Sequence, residues 1–237
     1  YQISQYDLPL AGKGFLEIAN DKSDEKIKIR INRAHMEEDA GKLVHIEENG
    51  RIIDSLVDFN RCGVPLLEIV TEPDICSSEE AVLFLQSLRS IVQYLGVCDG
   101  NLERGSMRCD ANISIRDGQT HQLGTKTEVK NMNSFRAIKK ALDFEIVRQR
   151  EMIKNGEKIL QETRRWDESN NKTMNMRSKE EAHDYRYFPE PDLLPLIIED
   201  SWIKEIISNL PELPVDRKER FMKEFGLSDY NAVRLVE

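Results

Sequence analysis

GSMRCDANISIRDGQTHQLGTKTEVKNMNS, residues 105–134, is the stretch around which the rest of the chain is organised. Met107, Cys109, Ala111, Ile113 and Ile115 alternate with Arg108, Asp110, Asn112, Ser114 and Arg116. That period of two predicts a half-buried strand. A polar loop carrying Asp117 and Gly118 follows, and then Thr125, Thr127 and Val129 alternate with Lys126, Glu128 and Lys130. Paired antiparallel, the two segments make a hairpin with one apolar face and one charged face. The charged face offers Asp110, Asn112 and Glu128 beside Arg108 and Lys126. Such a mixture suits a metal ion and phosphates. It suits a solvated face of cross-strand ion pairs equally well, and this stretch alone leaves both readings open.

On either side of the hairpin the sequence predicts a helix. Before it, Ser77 and Ser78 with Glu80 give a capping signal. Ala81, Phe84, Leu85, Leu88, Val92 and Leu95 recur at helical spacing, and Gly96 stands where a C′ glycine belongs. After it, Ser134 caps a second helix with Phe135, Ile138, Leu142, Ile146 and Ile153 on one side and Gly156 at its end. Its outer face mixes Lys and Arg with Glu and Asp, the pattern of a solvated surface. Both apolar stripes are expected to pack onto the sheet as scaffold.

Residues 1–60 read as strands and loops. Gly12 and Gly14 suggest a turn, and Asn20–Glu25 a polar hairpin tip. Ile27, Ile29 and Ile31 alternate with Lys28, Arg30 and Asn32, then run into HMEEDAGK, residues 35–42. Three consecutive acids, Glu37, Glu38 and Asp39, repel one another unless donors or cations sit beside them. They mark either a surface acidic turn or a site. Arg51–Asp58 predicts a further strand, and so does Leu66–Val70, where Glu68 in an apolar run is at an edge or paired.

From Gln161 onward arginines stand beside aromatics, in QETRRWDE (161–168) and in RSKEEAHDYRYFPEPDLLPL (177–196). Such residues can hold phosphates or stack bases, or cover a core. Leu194–Ile198 reads as a last strand. Leu210–Pro214 reads as a linker followed by two helical pieces. Strand groups alternating with long helices indicate an α+β fold rather than a doubly wound sheet. No G-x-G-x-x-G or Walker-type loop occurs, which argues against Rossmann and P-loop nucleotide sites.

Composition narrows the class. Charged residues make up 32% of the 237 and hydrophobic ones 39%, and no apolar run nears the roughly 18–20 residues that span a bilayer. Cys62, Cys76, Cys98 and Cys109 form no C-x-x-C pair, so reduced thiols in a cytosol-like compartment are expected. A net charge of −9 argues against broad nonspecific nucleic-acid binding but not against a local basic patch. Tyr1 in place of an initiator Met suggests a start inside a longer protein.

Taken in order, YQISQYDLPL (1–10), HMEEDAGK, SLVDFNRCGVPLLEIVTEPDI (55–75), GSMRCDANISIR (105–116), TEVKNMNSF (127–135), QETRRWDE and the 177–196 segment resemble the B subunit of the tRNA-dependent amidotransferases. The resemblance covers nearly the whole chain. It implies a cradle-like kinase domain over 1–209, mostly antiparallel sheet with packed helices. That fold is related to glutamine synthetase and the guanidino kinases. Residues 210–237 would be a linker and the start of a helical domain. By the same resemblance the first part of the cradle is missing here, and the fragment alone is expected to be inactive.

The resemblance also implies a chemistry. A carboxylate is a poor acyl donor. ATP would phosphorylate the side-chain carboxylate of Glu-tRNA(Gln) or Asp-tRNA(Asn), and ammonia would then displace phosphate to give Gln-tRNA(Gln) or Asn-tRNA(Asn). Ammonia is expected from a partner amidase subunit (A), with a small subunit (C) completing a heterotrimer in the cytoplasm or an organellar matrix. Carried over by motif, Glu38, Asp110 and Glu128 are the expected catalytic acids and, with Glu37, the expected Mg²⁺ ligands. Ser106, Arg108, Lys126 and Lys42 are expected at the phosphates of ATP. Two other classes compete with this: a tRNA-binding scaffold whose acids only hold structure, and a Mg²⁺-dependent nuclease built on an acidic cluster.

Overall fold

A computed structural model describes residues 3–19, 25–116, 118, 122–178 and 189–236. These residues sort into two compact units. One runs through Ile75 and takes in residues 189–195; the other starts at Cys76 and takes in residues 196–236. The division falls within the span expected as one cradle domain.

In the first unit, β1 (Ala11–Ile18), β2 (Ile27–Glu38) and β5 (Pro65–Thr71) form an antiparallel sheet in the order β1-β2-β5. β2 alternates as its sequence predicts, with Ile29 and His35 fully buried. Gly12 and Gly14 do not make a turn. They lie inside β1, opposite Arg33 and Ile31. Of the expected hairpin tip Asn20–Glu25, residues 20–24 lie outside the described residues. β3 (Lys42–Glu48) and β4 (Arg51–Asp58) form a separate hairpin. Its turn is Asn49-Gly50, both at positive φ (51° and 72°). That pair of left-handed residues matches the twist of a two-residue hairpin and is why Asn-Gly is favoured there.

The second unit holds a four-stranded sheet in the order β6 (Ala111–Ile113), β7 (Thr127–Lys130), β8 (Glu162–Asp167), β9 (Lys172–Ser178). β6 and β7 are antiparallel, as expected of the hairpin. β6 is far shorter than the predicted Met107–Arg116, because a strand extends only as far as its partner and β7 has four residues. Residues before it are tied by turns instead, with the Met107 amide donating to the Asn101 carbonyl at 3.1 Å. β7 and β8 pair in parallel, and the required crossover is α2 (Phe135–Lys154). The fold is α+β with mostly antiparallel sheets and this one β-α-β unit.

Both predicted helices form. In α1 (Ser78–Tyr94) the Ser77 hydroxyl accepts from the Glu80 amide, and in α2 the Ser134 hydroxyl accepts from the Ala137 amide. Each satisfies an orphan N–H of a first turn. α2 packs on β6 and β9, burying Ala137, Ile138, Ala141 and Leu142, and Phe144 meets Trp166 of β8 edge-on at 6.5 Å. α1 packs chiefly on α2 rather than on the sheet, so Phe84 and Leu85 are its buried anchors while Leu88 is only half-buried.

Between α2 and the sheet lies an ionic network. Glu145, fully buried, accepts from Arg148 Nη2 (2.8 Å) and pairs with Arg164 Nε (3.1 Å). Arg164 Nη1 reaches Glu162 (2.7 Å), and Thr173 and Gln149 also donate to Glu145.

Leu194–Ile198 is not a strand: Leu194 is 92% exposed, Pro195 lacks a donor, and no partner strand is present among the described residues. The chain continues instead into α3 (Asp200–Asn209), a helix not expected from the sequence. The two helical pieces beyond the linker are α4 (Pro214–Phe225) and α5 (Asp229–Val236).

Candidate functional site

β7 carries the site's geometry. Thr127 and Val129 are buried on the face covered by α2, and Glu128 and Lys130 project from the opposite face. Asp110, just before β6, comes to the same side. Lys130 Nζ lies 2.8 Å from Asp110 Oδ2 and 3.4 Å from Glu128 Oε1, so one ammonium touches both carboxylates. Burial pulls the Lys130 pKa down, but hydrogen bonding and charge from Asp110 and Glu128 outweigh it and hold it above the ordinary lysine range. The pair thus accommodates one positive charge between two hard oxygens. That donor set fits Mg²⁺, which commonly takes one or two protein carboxylates and completes its shell with water and phosphate.

Glu128 has a second partner. The parallel register sets Thr163 opposite it, and Thr163 Oγ1 donates to Glu128 Oε2 at 2.9 Å. Arg165 is exposed on the face that carries Thr163, whereas Arg164 and Trp166 turn under α2. Strand alternation therefore splits the basic-aromatic stretch 161–168: Arg164 is neutralised by Glu145 and Glu162, and Trp166 is core.

Of the residues expected at phosphates, Ser106, Arg108 and Lys126 are exposed and belong to this unit. Ser106 is engaged with Asp99, whose carboxyl is held below its usual range by the Asn101 amide and then by the Ser106 hydroxyl.

Cys109, beside Asp110, faces inward. Burial, with a smaller push from the Asp110 carboxylate, raises its thiol to about 12. The thiolate is the reactive form, so alkylation of Cys109 is expected to lag that of exposed Cys62 and Cys76 until the pH nears about 12. Peptide mapping after iodoacetamide treatment at graded pH checks this; equal labelling near neutral pH refutes it. The unfolded chain ionises this thiol more readily than the folded one. Stability is therefore lost as the pH rises from the ordinary thiol value of 9.0 toward about 12.

The remaining acids lie in the first unit. Glu37 and Glu38 are consecutive residues of β2, so they project to opposite faces of the sheet. Glu37 shares its face with His35, whose Nε2 lies 3.1 Å from Glu37 Oε1, and the Ser4 hydroxyl donates to the same oxygen at 2.9 Å. Glu68 faces His35 across the β2–β5 register, on an edge strand as expected. One ligand atom from each of His35, Glu37 and Glu68 falls within 4.8 Å of the others. Asp39 is buried against Arg61 at 2.9 Å. The acidic run HMEED is thus relieved by alternation and by separate partners. Glu38 lies near Gly63, where a Cβ would sit 3.4 Å from Glu38 Oε1 and φ is +79°; only glycine takes that conformation without strain. Lys42 opens β3, opposite Asp58.

The structure brings together Asp110 and Glu128. Lys130, Thr163 and His35 are members of these clusters that the motifs did not single out. Lys130 was detectable, since a residue two along from Glu128 shares its face. Thr163 was not, because parallel pairing between segments 35 residues apart leaves no local signature. The tyrosines and arginine of the 185–188 segment lie outside the described residues.

A mixed α/β chain with Asp110 and Glu128 on the sheet face away from α2 defines a catalytic class once compared with known proteins. Residues 1–204 match the family described as the GatB/GatE catalytic domain. The chain belongs to this family. It is 58% identical over 237 residues to the B subunit of the aspartyl/glutamyl-tRNA(Asn/Gln) amidotransferase of Thermodesulfovibrio yellowstonii, covering all of this chain and 49% of that protein. The protein of the same name from Carboxydothermus hydrogenoformans is 58% identical over 232 residues (98% of this chain, 48% of the relative), and that from Thermotoga maritima 54% over 233 (98% and 48%). The chain spans about half the length of the curated relatives it matches. Among the described residues no helix is long and apolar enough to cross a membrane.

Proposed function

We propose that the chain contributes the carboxylate-activating step of a tRNA-dependent amidotransferase. The observation that carries this reading is the Asp110–Glu128 pair closed on one ammonium, on the sheet face away from α2. Membership of the family and the relatives' names support the substrate class, misacylated Glu-tRNA(Gln) or Asp-tRNA(Asn). In this reading ATP phosphorylates the side-chain carboxylate of the tRNA-bound amino acid, and ammonia from an amidase subunit (A) displaces phosphate. A small subunit (C) completes the complex.

Asp110 and Glu128 would hold Mg²⁺ in the second unit, and Glu38, expected as a further ligand, belongs to the first. The ion, when bound, offsets charge on the transferring phosphoryl group. The protein's own residues do the rest by position: Arg108 and Lys126 neutralise phosphate oxygens, and Ser106 stands as a further donor; Lys42, also expected at phosphate, belongs to the first unit. Glu37, expected as a further Mg²⁺ ligand beside the other three acids, belongs to the His35–Glu37–Glu68 group of the first unit. The relation to glutamine synthetase and the guanidino kinases belongs to the same proposal.

The complete complex, assayed for ADP release with charged and uncharged tRNA, tests it. ADP formation is expected only with misacylated tRNA. RNA cleavage without ATP would favour a nuclease, and neither activity would favour a scaffold.

A further inference from the structure

Among the described residues, Glu128 has a hydroxyl donor delivered by a strand that pairs in parallel with its own. Thr163 is 1% exposed, so its side chain is enclosed and its hydroxyl has a fixed surround. Its register partner is Glu128 itself, and Oγ1 donates to Oε2 at 2.9 Å. The other oxygen, Oε1, is the one that approaches the Lys130 ammonium, at 3.4 Å, on the side where Asp110 meets the same nitrogen at 2.8 Å. The two oxygens of one carboxylate thus have distinct surroundings: Oε2 toward β8, Oε1 toward the cationic side.

We propose that Thr163 is a positioning residue for the carboxylate-activating step. By holding Oε2, it aims Oε1 together with Asp110 at the divalent cation of the phosphate site. This rests on the function proposed above. A hydrogen bond to one oxygen restrains how a carboxylate turns, and groups that orient a metal ligand are typically worth 10–100-fold in metal affinity when removed. A hydroxyl that merely filled space would leave cation affinity untouched when replaced by a methyl group of equal size.

The test is Mn²⁺ binding to the complete protein in its complex, monitored by the electron paramagnetic resonance signal of unbound Mn²⁺. Thr163→Val keeps the shape and removes the donor; Thr163→Ser keeps the donor. Thr163→Val is expected to weaken Mn²⁺ binding about 10–100-fold, and Thr163→Ser to restore it. Should the valine variant fail to fold, Thr163→Ala, which also lacks the hydroxyl, is compared with the serine variant. Wild-type affinity in Thr163→Val or Thr163→Ala, or equal loss in Thr163→Ser, overturns the positioning role. Glu128→Gln separates this from the underlying reading. If it loses Mn²⁺ while Thr163→Val does not, only the role of Thr163 fails. If Glu128→Gln binds Mn²⁺ like the wild type, the cation site fails and the role of Thr163 fails with it.

Discussion

Glu128→Gln, in the complete complex, is expected to lower tRNA-dependent ADP formation by at least about 100-fold, given that residues which only orient a metal ligand are worth 10–100-fold. Glutamine keeps the length and volume of the side chain, and its carbonyl oxygen can still accept from Thr163 Oγ1. It removes the negative charge that a hard cation requires. Lys130 retains Asp110 at 2.8 Å, so the local fold has no reason to collapse. Release of ammonia from glutamine, a reaction assigned to another subunit, is expected to persist. Measuring ADP and glutaminase activity separately therefore isolates the step. Unchanged ADP formation would remove Glu128 from the chemistry and favour a scaffold; loss of both activities in a complex that assembles correctly would place Glu128 at a subunit contact.

The largest expected effect on stability lies on the other side of the same sheet. Glu145→Ala leaves the Arg148 and Arg164 guanidinia only Glu162 of the two acids they share, strands the Thr173 hydroxyl, and leaves Gln149 Nε2 only the Ile113 carbonyl. Removing one partner of a buried ion pair typically costs about 3–5 kcal/mol, a large part of the roughly 5–15 kcal/mol that holds a domain folded. Urea denaturation monitored by circular dichroism measures it. A loss below about 1 kcal/mol, the scale of a solvated surface pair, would mean that water already reaches the network. Because the sheet lies between Glu145 and the Asp110–Glu128 face, the protein that remains folded is expected to bind Mn²⁺ normally.

Sequence patterning reveals α1, α2 and the polarity of the central hairpin, because each rests on local chemistry. Ser77 and Ser134 cap first turns whose amides are three residues away, and the alternation of Thr127 to Lys130 states directly which side chains are buried. Elements that depend on a distant partner are harder to read. Met107 and Arg108 alternate like a strand, yet β7 is too short to pair with them. Leu194–Ile198 has strand composition and no edge to join. The acids of HMEED look like one cluster when written in a line, and the pleat of β2 sends Glu37 and Glu38 to different faces. Two further signals stand in the sequence beyond those that predicted the fold: Asn49-Gly50, which fixes the β3–β4 hairpin, and the helical spacing of Trp202, Ile203, Ile206 and Ile207 in α3.

The parallel pairing of β7 with β8 sets an order of events during synthesis. Asp110, just before β6, and Glu128, on β7, belong to a local hairpin and can meet as soon as Lys130 has emerged. Thr163 follows Glu128 by 35 residues, a lag of a few seconds at roughly 5–20 residues per second, and it can dock only after α2 has crossed back over the sheet. A nascent chain therefore displays its acidic pair before the strand that steadies it exists, and the finished carboxylate geometry waits for β8.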